Sequence, residues 1–76
     1  ARPGSSRMEV PLIEPLSQRE LEVLRLLNTE LSGPEIAREL VIGLSTVRTY
    51  TKSLYAKLDV NSRRAAVQRA LELRLI

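Results

Sequence analysis

The pattern that constrains this chain most is a helix-start signal that occurs twice. Leu16-Ser-Gln-Arg-Glu20 and Leu31-Ser-Gly-Pro-Glu35 both place a serine three residues before a glutamate. In such a capping box the serine hydroxyl accepts a backbone N–H of the first helical turn, and the glutamate carboxylate accepts the serine N–H. The leucine before each serine can pack against an apolar side chain inside the helix. Two short helices are therefore predicted, one running to about Asn28 and the other to about Leu40.

Both predicted helices carry an apolar stripe at helical spacing. The inward side chains are expected to be Leu21, Val23, Leu24, Leu26 and Leu27 in the first helix and Ile36, Ala37 and Leu40 in the second. Pro34 lies in the first turn of the second helix, where its missing N–H costs nothing.

Only three residues, Val41-Ile42-Gly43, separate the second helix from the next one. A short turn that often contains glycine is what a helix-turn-helix needs, and Gly43 can serve as a modest N-cap. An ordinary corner between two helices of a small bundle has the same appearance. The turn alone therefore does not decide between the two.

The stretch Leu44–Leu58 is predicted to be a third helix with two different faces. At about 100° per residue, one arc holds Leu44, Val47, Thr51, Leu54, Tyr55 and Leu58, and the opposite arc holds Ser45, Arg48, Thr49, Lys52, Ser53 and Ala56. The stretch has no Asp or Glu that would repel phosphate, but it has Arg48, Lys52 and Lys57. This pattern favours a helix that enters a DNA groove. The alternative is a solvated face, although such faces usually mix both signs of charge.

The charge is divided unevenly along the chain. Residues 1–40 carry five basic and seven acidic side chains, whereas residues 41–76 carry seven basic and two acidic ones. The positive half holds the third helix, which fits attraction to nucleic acid. A membrane surface would attract the same charge.

The composition argues against catalysis and metal binding. The chain has no Cys and no His, so it lacks thiolate and imidazole ligands and bases. We therefore predict no catalytic residue, no metal site and no cofactor, and we interpret Glu20 and Glu22 as cap and surface residues. The apolar runs are too short to span a membrane and no signal-peptide pattern occurs, so a cytoplasmic location is expected. Residues 1–14 are predicted to be a linker, and residues 15–76 a single domain.

A fourth helix is predicted after Asp59-Val60-Asn61, with Asn61 or Ser62 as its N-cap. Its apolar side chains are Ala65, Ala66, Val67, Ala70, Leu71 and Leu73, and its surface arginines are Arg63, Arg64, Arg69 and Arg74. The simplest interpretation is a helix that closes the bundle. Small alanines also allow two helices to approach closely, so we predict a weak contact between two copies of the chain through Ala66, Ala70 and Leu73.

Four blocks of the sequence occur together in one known family. They are Pro15-Leu-Ser-Gln-Arg-Glu-Leu-Glu-Val-Leu-Arg-Leu-Leu27, Glu35-Ile-Ala37, Ser45-Thr-Val-Arg-Thr49 and Leu54-Tyr-Ala-Lys-Leu58. In this order and spacing they resemble the LuxR-type DNA-binding domain of bacterial transcription regulators, over residues 15–76. The first block is especially similar to the C-terminal domains of large MalT-like, ATP-dependent regulators.

The resemblance implies an all-α domain of four helices at the C-terminal end of a longer, signal-responsive protein. Its second and third helices would form the helix-turn-helix, and its fourth the dimer contact. Positions that match the family's motif are expected to touch base edges at Arg48, Thr49 and Lys52, and phosphates at Ser45, Thr46 and Lys57. The expected partners are double-stranded DNA, a second copy of the chain on DNA and, in the full-length protein, RNA polymerase.

The sequence departs from the family pattern at four positions. Gly43 stands where a Ser or Thr cap is common, and Tyr50 stands where His is frequent. Asp59 replaces the Gly expected to end the third helix in a left-handed conformation, which Asp tolerates less well. Arg74 replaces a Gly near the end of the chain, so we expect the fourth helix to continue almost to Ile76.

Sequence-specific DNA binding by the third helix is the function that these observations favour. The main alternative is a helical protein-interaction module that self-associates through the fourth helix and whose basic charge is incidental. A basic amphipathic segment on a membrane surface fits less well, since the chain has no Trp and no Phe, which such anchors favour.

Overall fold

In a computed structural model, residues 15–76 form four α-helices and no strand. The helices are α1 (Gln18–Leu27), α2 (Gly33–Leu40), α3 (Leu44–Leu58) and α4 (Arg63–Glu72). The predicted all-α, four-helix domain is thereby confirmed. The linker predicted at residues 1–14 lies outside the described residues.

Both capping boxes form as predicted. At α1, the Glu20 backbone N–H donates to Ser17 Oγ at 3.2 Å, and the Ser17 N–H donates to Glu20 Oε1 at 2.8 Å. At α2, the corresponding distances between Ser32 and Glu35 are 3.3 Å and 2.7 Å. A side-chain cap of this kind contributes about 1 kcal/mol to helix stability. Local sequence therefore fixes where the first two helices begin.

The core lies between α1 and α3, each of which packs against all three other helices. Within residues 15–76, α2 and α4 do not contact each other. Every helix contributes buried apolar side chains, namely Val23, Leu24, Leu27, Ile36, Ala37, Val47, Leu54, Leu58, Ala66 and Ala70. Full burial of one leucine contributes roughly 2 kcal/mol. The inner face of α3 is consequently fixed by α1, α2 and α4 together, and its outer face is left free.

The turn between α2 and α3 has the predicted length of three residues, 41–43. Val41 ends α2 in the left-handed conformation, with φ 58°. The next N–H, that of Ile42, donates to the Ala37 carbonyl oxygen at 2.9 Å, and the Ile42 side chain packs against the core. Gly43 is the N-cap of α3 and contributes no side-chain hydrogen bond.

The same C-terminal cap recurs at α3 and α4. Asp59 and Arg74 both have φ 60°. The N–H of the following apolar residue donates backwards in each case, from Val60 to Tyr55 at 3.0 Å and from Leu75 to Ala70 at 2.8 Å. The expectation that α4 continues almost to Ile76 is therefore wrong, because Arg74 takes up the left-handed conformation that was expected to require glycine. The helix ends at Glu72.

Ser62, one of the two predicted caps, is the N-cap of α4 and accepts the Ala65 N–H at 3.1 Å. The first residue of that helix, Arg63, is not a surface decoration as predicted. Its guanidinium donates to the carbonyl oxygens of Leu27 at 2.9 Å and Thr29 at 2.7 Å. A cation that binds carbonyl oxygens at this position stabilises the C-terminal end of α1. Arg63 thus ties the start of α4 to the end of α1.

Candidate nucleic-acid interface

The outer face of α3 carries the exposed arc that the sequence predicted. Its exposed side chains are Ser45, Thr46, Arg48, Thr49, Lys52 and Ala56. The opposite side is the core side, where Val47, Leu54 and Leu58 are buried. Ser53, which was assigned to the outer arc, is half-buried instead. We refer to the six exposed residues as the outer arc.

Arg48 and Lys52 lie on consecutive turns of the outer arc and are both exposed. Within residues 15–76 neither cation takes part in a salt bridge. Their charge is therefore available to an anion from outside the chain. Ser45 and Thr46 sit in the first turn of the same helix, where backbone N–H groups and the positive end of the helix dipole favour phosphate.

Thr49 lies between the two cations in sequence, and its hydroxyl has an internal partner. Thr49 Oγ1 donates to the Ser45 carbonyl oxygen at 3.0 Å. Threonine in a helix commonly bonds backwards to the carbonyl four residues earlier. The bond uses the hydroxyl proton of Thr49, and the methyl group remains for an apolar contact.

Glu20 is the predicted capping residue of α1, and it is also a buried contact between α1 and α3, which the sequence did not predict. Only 4% of the residue is exposed. Besides the Ser17 N–H, its carboxylate accepts hydrogen bonds from two side chains of α3, Ser53 Oγ at 2.5 Å and Lys57 Nζ at 2.8 Å. The capping residue of α1 is therefore also a contact between α1 and α3. Sequence reasoning missed this role because its partners lie more than 30 residues away along the chain.

The ionised form of Glu20 is strongly favoured in the folded chain. Burial by itself would raise the pKa of this carboxyl. Hydrogen bonds from Lys57, Ser53 and the Ser17 backbone, together with the Lys57 charge, outweigh burial and lower the pKa from 4.5 to about 2. The carboxylate therefore keeps its charge at any pH near neutrality.

Lys57, predicted to contact phosphate, is already engaged inside the chain. Its ammonium forms the salt bridge with Glu20 Oε1 and also donates to the Pro15 carbonyl oxygen at 3.2 Å. Its side chain is only 20% exposed. An ammonium has three N–H donors, so one remains for an external acceptor. The phosphate contact stays a prediction, and it has to compete with an internal carboxylate.

The predicted dimer contact on α4 is partly wrong. Ala66 and Ala70 are fully buried in the core of the single chain, so a second copy has no access to them. Leu73 is half-buried. The exposed stripe of α4 consists of Arg64, Gln68 and Leu71, which follow helical spacing, and Leu71 is 51% exposed. Alanines suit a core as well as an interface, so their presence could not indicate which way the helix faces.

Within residues 15–76, no three acidic side chains lie close enough together to hold a metal ion. No helix of that part of the chain is long and apolar enough to cross a membrane.

Comparison with known proteins identifies a family and a similar solved structure. Residues 14–70 match the sequence model of the bacterial regulatory proteins of the luxR family. The fold is similar to the crystal structure of ChrA, a response regulator in a heme-sensing two-component system, with a TM-score of 0.80 and 41% sequence identity. The match covers 83% of this chain and 31% of ChrA. The chain therefore spans about a third of that protein's length.

Proposed function

Since the chain belongs to the luxR family of bacterial regulatory proteins, we propose that it binds a specific duplex sequence with α3 in the major groove. Domains of this family are DNA-binding regulatory domains and not enzymes. The observation that carries the proposal is the outer arc of α3. It is exposed, it has no carboxylate, and the core fixes the helix behind it. Its two cations, Arg48 and Lys52, form no salt bridge within residues 15–76.

Arg48, Thr49 and Lys52 are the proposed base-reading residues. Arg48 and Lys52 lie four positions apart and so project from neighbouring turns of one helix face. Either side chain can donate to O6 and N7 of guanine, and one good contact of this type contributes about 1–3 kcal/mol of discrimination. Thr49 presents its methyl group beside them, where it can meet the methyl group of thymine.

Ser45 and Thr46 are the proposed phosphate contacts at the N-terminal end of α3. Both are exposed in the first helical turn, where hydroxyls and free backbone N–H groups can donate to the same phosphate. Lys57, the third residue predicted to contact phosphate, lies at the other end of the helix and is not one of the proposed contacts, since its ammonium is bonded to Glu20. These contacts would set the register of α3 in the groove without reading sequence.

The domain is proposed to act as the output part of a longer regulator in the cytoplasm. It spans about a third of ChrA, a response regulator. Two copies are proposed to bind adjacent half-sites through the exposed stripe of α4, and the parent regulator to contact RNA polymerase. The MalT-like subgroup stays a prediction.

Selection of bound sequences from a random duplex pool tests the function directly. We expect one enriched motif, and affinity for it that falls steeply as salt rises, because phosphate contacts release counterions. If the chain binds no duplex even at low salt, DNA binding is excluded, and the alternative of a helical protein-interaction module that self-associates through α4 becomes the better interpretation.

A further inference from the structure

We propose that Glu20 and Lys57 are positioning residues for base readout, and that Lys57 acts by holding α3 against the start of α1 and not by contacting phosphate. The proposal rests on the proposed function, since it concerns how the reading helix is oriented. It assigns a role in DNA recognition to a glutamate that lies outside the outer arc.

The Glu20 carboxylate joins three points of the fold. Its Oε1 atom accepts the Ser17 backbone N–H and Lys57 Nζ, both at 2.8 Å, while its Oε2 atom accepts Ser53 Oγ at 2.5 Å. Ser53 and Lys57 are four residues apart and thus project from consecutive turns of α3. The helix start of α1 is therefore bonded to two turns of the reading helix at once.

The hydrogen bonds to Glu20 fix the orientation of α3 more narrowly than apolar packing does. The buried contacts of Leu54 and Leu58 hold α3 against the core, but apolar attraction is non-directional and permits small rotations and shifts. A hydrogen bond weakens steeply when its angle departs from linear. Two such bonds from successive turns to one carboxylate oppose both rotation of α3 about its axis and sliding along it. Either motion would displace Arg48 and Lys52 from a base edge.

Because the pair is buried, removing one partner and removing both have different consequences for stability. The Glu20 side chain is 6% exposed and that of Lys57 20%. Replacing a buried ion pair as a whole often leaves stability unchanged, whereas removing one partner leaves an unpaired buried charge. The chain retains both charges here, at the junction that sets the angle of α3.

The two possible roles of Lys57 make opposite predictions for Glu20. If Lys57 contacted phosphate, removing the Glu20 charge would free the ammonium and strengthen binding to every duplex. If the pair positions α3, removing either charge weakens recognition of the preferred site alone. Glu20→Gln retains the side-chain carbonyl that caps α1, and Lys57→Met retains most of the apolar stem of lysine.

A second capping box in the same chain supplies the matched control. Glu35 accepts the Ser32 N–H at 2.7 Å as Glu20 accepts that of Ser17, but Glu35 is exposed and, in the described part of the chain, bonds to no residue of α3. Glu35→Gln therefore weakens a cap without disturbing the junction.

The experiment measures affinity for the selected site and for a scrambled duplex at several salt concentrations. The wild type, Glu20→Gln, Lys57→Met, the double variant and Glu35→Gln are compared at a temperature where circular dichroism shows all five folded. We expect Glu20→Gln and Lys57→Met each to reduce the preference for the selected site about fivefold, the lower end of one base contact. The double variant should lose no more than either single one, because both remove the same junction. Glu35→Gln should leave the preference unchanged, and the salt slope on scrambled duplex should be the same for all five.

Three results overturn the proposal. One is a salt slope lowered by about one in Lys57→Met with tighter binding in Glu20→Gln, which is the signature of a phosphate contact. Another is an unchanged preference in both single variants. The third is an equal loss in Glu35→Gln. If the wild type itself binds no duplex, the proposed function fails instead, and that result is separate from all three.

Discussion

The Thr49 hydroxyl donates to the Ser45 carbonyl oxygen one helical turn earlier, at 3.0 Å. Because this bond uses the only hydroxyl proton, Thr49 has no donor left for a base edge. Its methyl group can still make an apolar contact, and the apolar group available in the major groove is the methyl group of thymine.

We therefore expect one thymine of the selected site to be read through its methyl group. Replacing that thymine by deoxyuridine, which lacks only this group, should weaken wild-type binding about fourfold, since one buried methylene-sized group contributes about 0.8 kcal/mol. Thr49→Val keeps a methyl group and should keep the thymine preference. Thr49→Ser removes the methyl group and should bind both duplexes equally. A serine variant that still prefers thymine would show that another residue reads it.

Arg48 and Lys52 should contribute specificity as well as attraction. Arg48→Ala or Lys52→Ala is expected to weaken binding to the selected site by about 1–3 kcal/mol and to broaden base choice at one position. Arg25 is an exposed cation on α1. Arg25→Ala therefore removes the same charge at a position away from α3, and the affinity for both duplexes should change little. Titrations with the selected and the scrambled duplex measure these affinities. An equal loss of affinity for both would show that the outer arc attracts DNA electrostatically but does not read its sequence.

The exposed stripe of α4 should matter only when two copies bind together. Leu71→Glu places a charge at an apolar side chain that is 51% exposed, so the fold should tolerate it. Binding to a duplex with two half-sites should lose cooperativity, whereas binding to a single half-site should change little. Gel-shift titrations on both duplexes measure this, and cooperativity that survives the charge would exclude Leu71 from the contact.

The Glu20 carboxylate should make stability sensitive to acid. Its pKa is lowered from 4.5 to about 2, so the stability it contributes is present above about pH 4.5 and is lost as the pH falls toward 2. The difference corresponds to roughly 3 kcal/mol. Urea denaturation across this pH range should show the free energy of unfolding falling steeply for the wild type and less steeply for Glu20→Gln. A parallel decline in the two proteins would contradict the assignment.

Val41 should be a site where glycine stabilises the domain. A valine at φ 58° is strained, because its branched side chain crowds the backbone there, and its 88% exposure means that little packing is lost on removal. Val41→Gly is expected to raise the free energy of unfolding by about 1 kcal/mol. Asp59→Gly should raise the free energy of unfolding by less, since Asp tolerates the left-handed conformation better than Val does. Denaturation midpoints at constant slope provide the measurement, and a larger gain at Asp59 would contradict the ranking.

The parts of the fold that sequence predicted correctly are those set by neighbours along the chain. The capping boxes of Ser17 and Ser32 involve residues three positions apart, and the two faces of α3 follow from helical period. These signals placed the helix starts and the outer arc where the structure has them.

The parts that sequence missed depend on contacts between distant residues. The double role of Glu20 requires Lys57, 37 positions away. The orientation of α4 depends on which side of its alanines meets the core, and alanine has too little apolar surface to indicate this. The end of α4 at Glu72 differs from the prediction because the left-handed position that follows it is occupied by Arg74 and not by glycine. The structure instead pairs a left-handed residue with a following apolar one, Leu75, that packs against the core.

The contacts of α1 with α3 determine the smallest fragment of this domain that can be grafted onto another protein. The helix-turn-helix pair, α2 and α3, would leave Leu54 and Leu58 uncovered if cut out alone, because α1 and α4 pack against α3. A chimaeric protein that contains only residues 31–60 of this chain would expose these leucines and would lack the Glu20 carboxylate. A graft that begins at Pro15 carries the reading helix together with the helix that orients it.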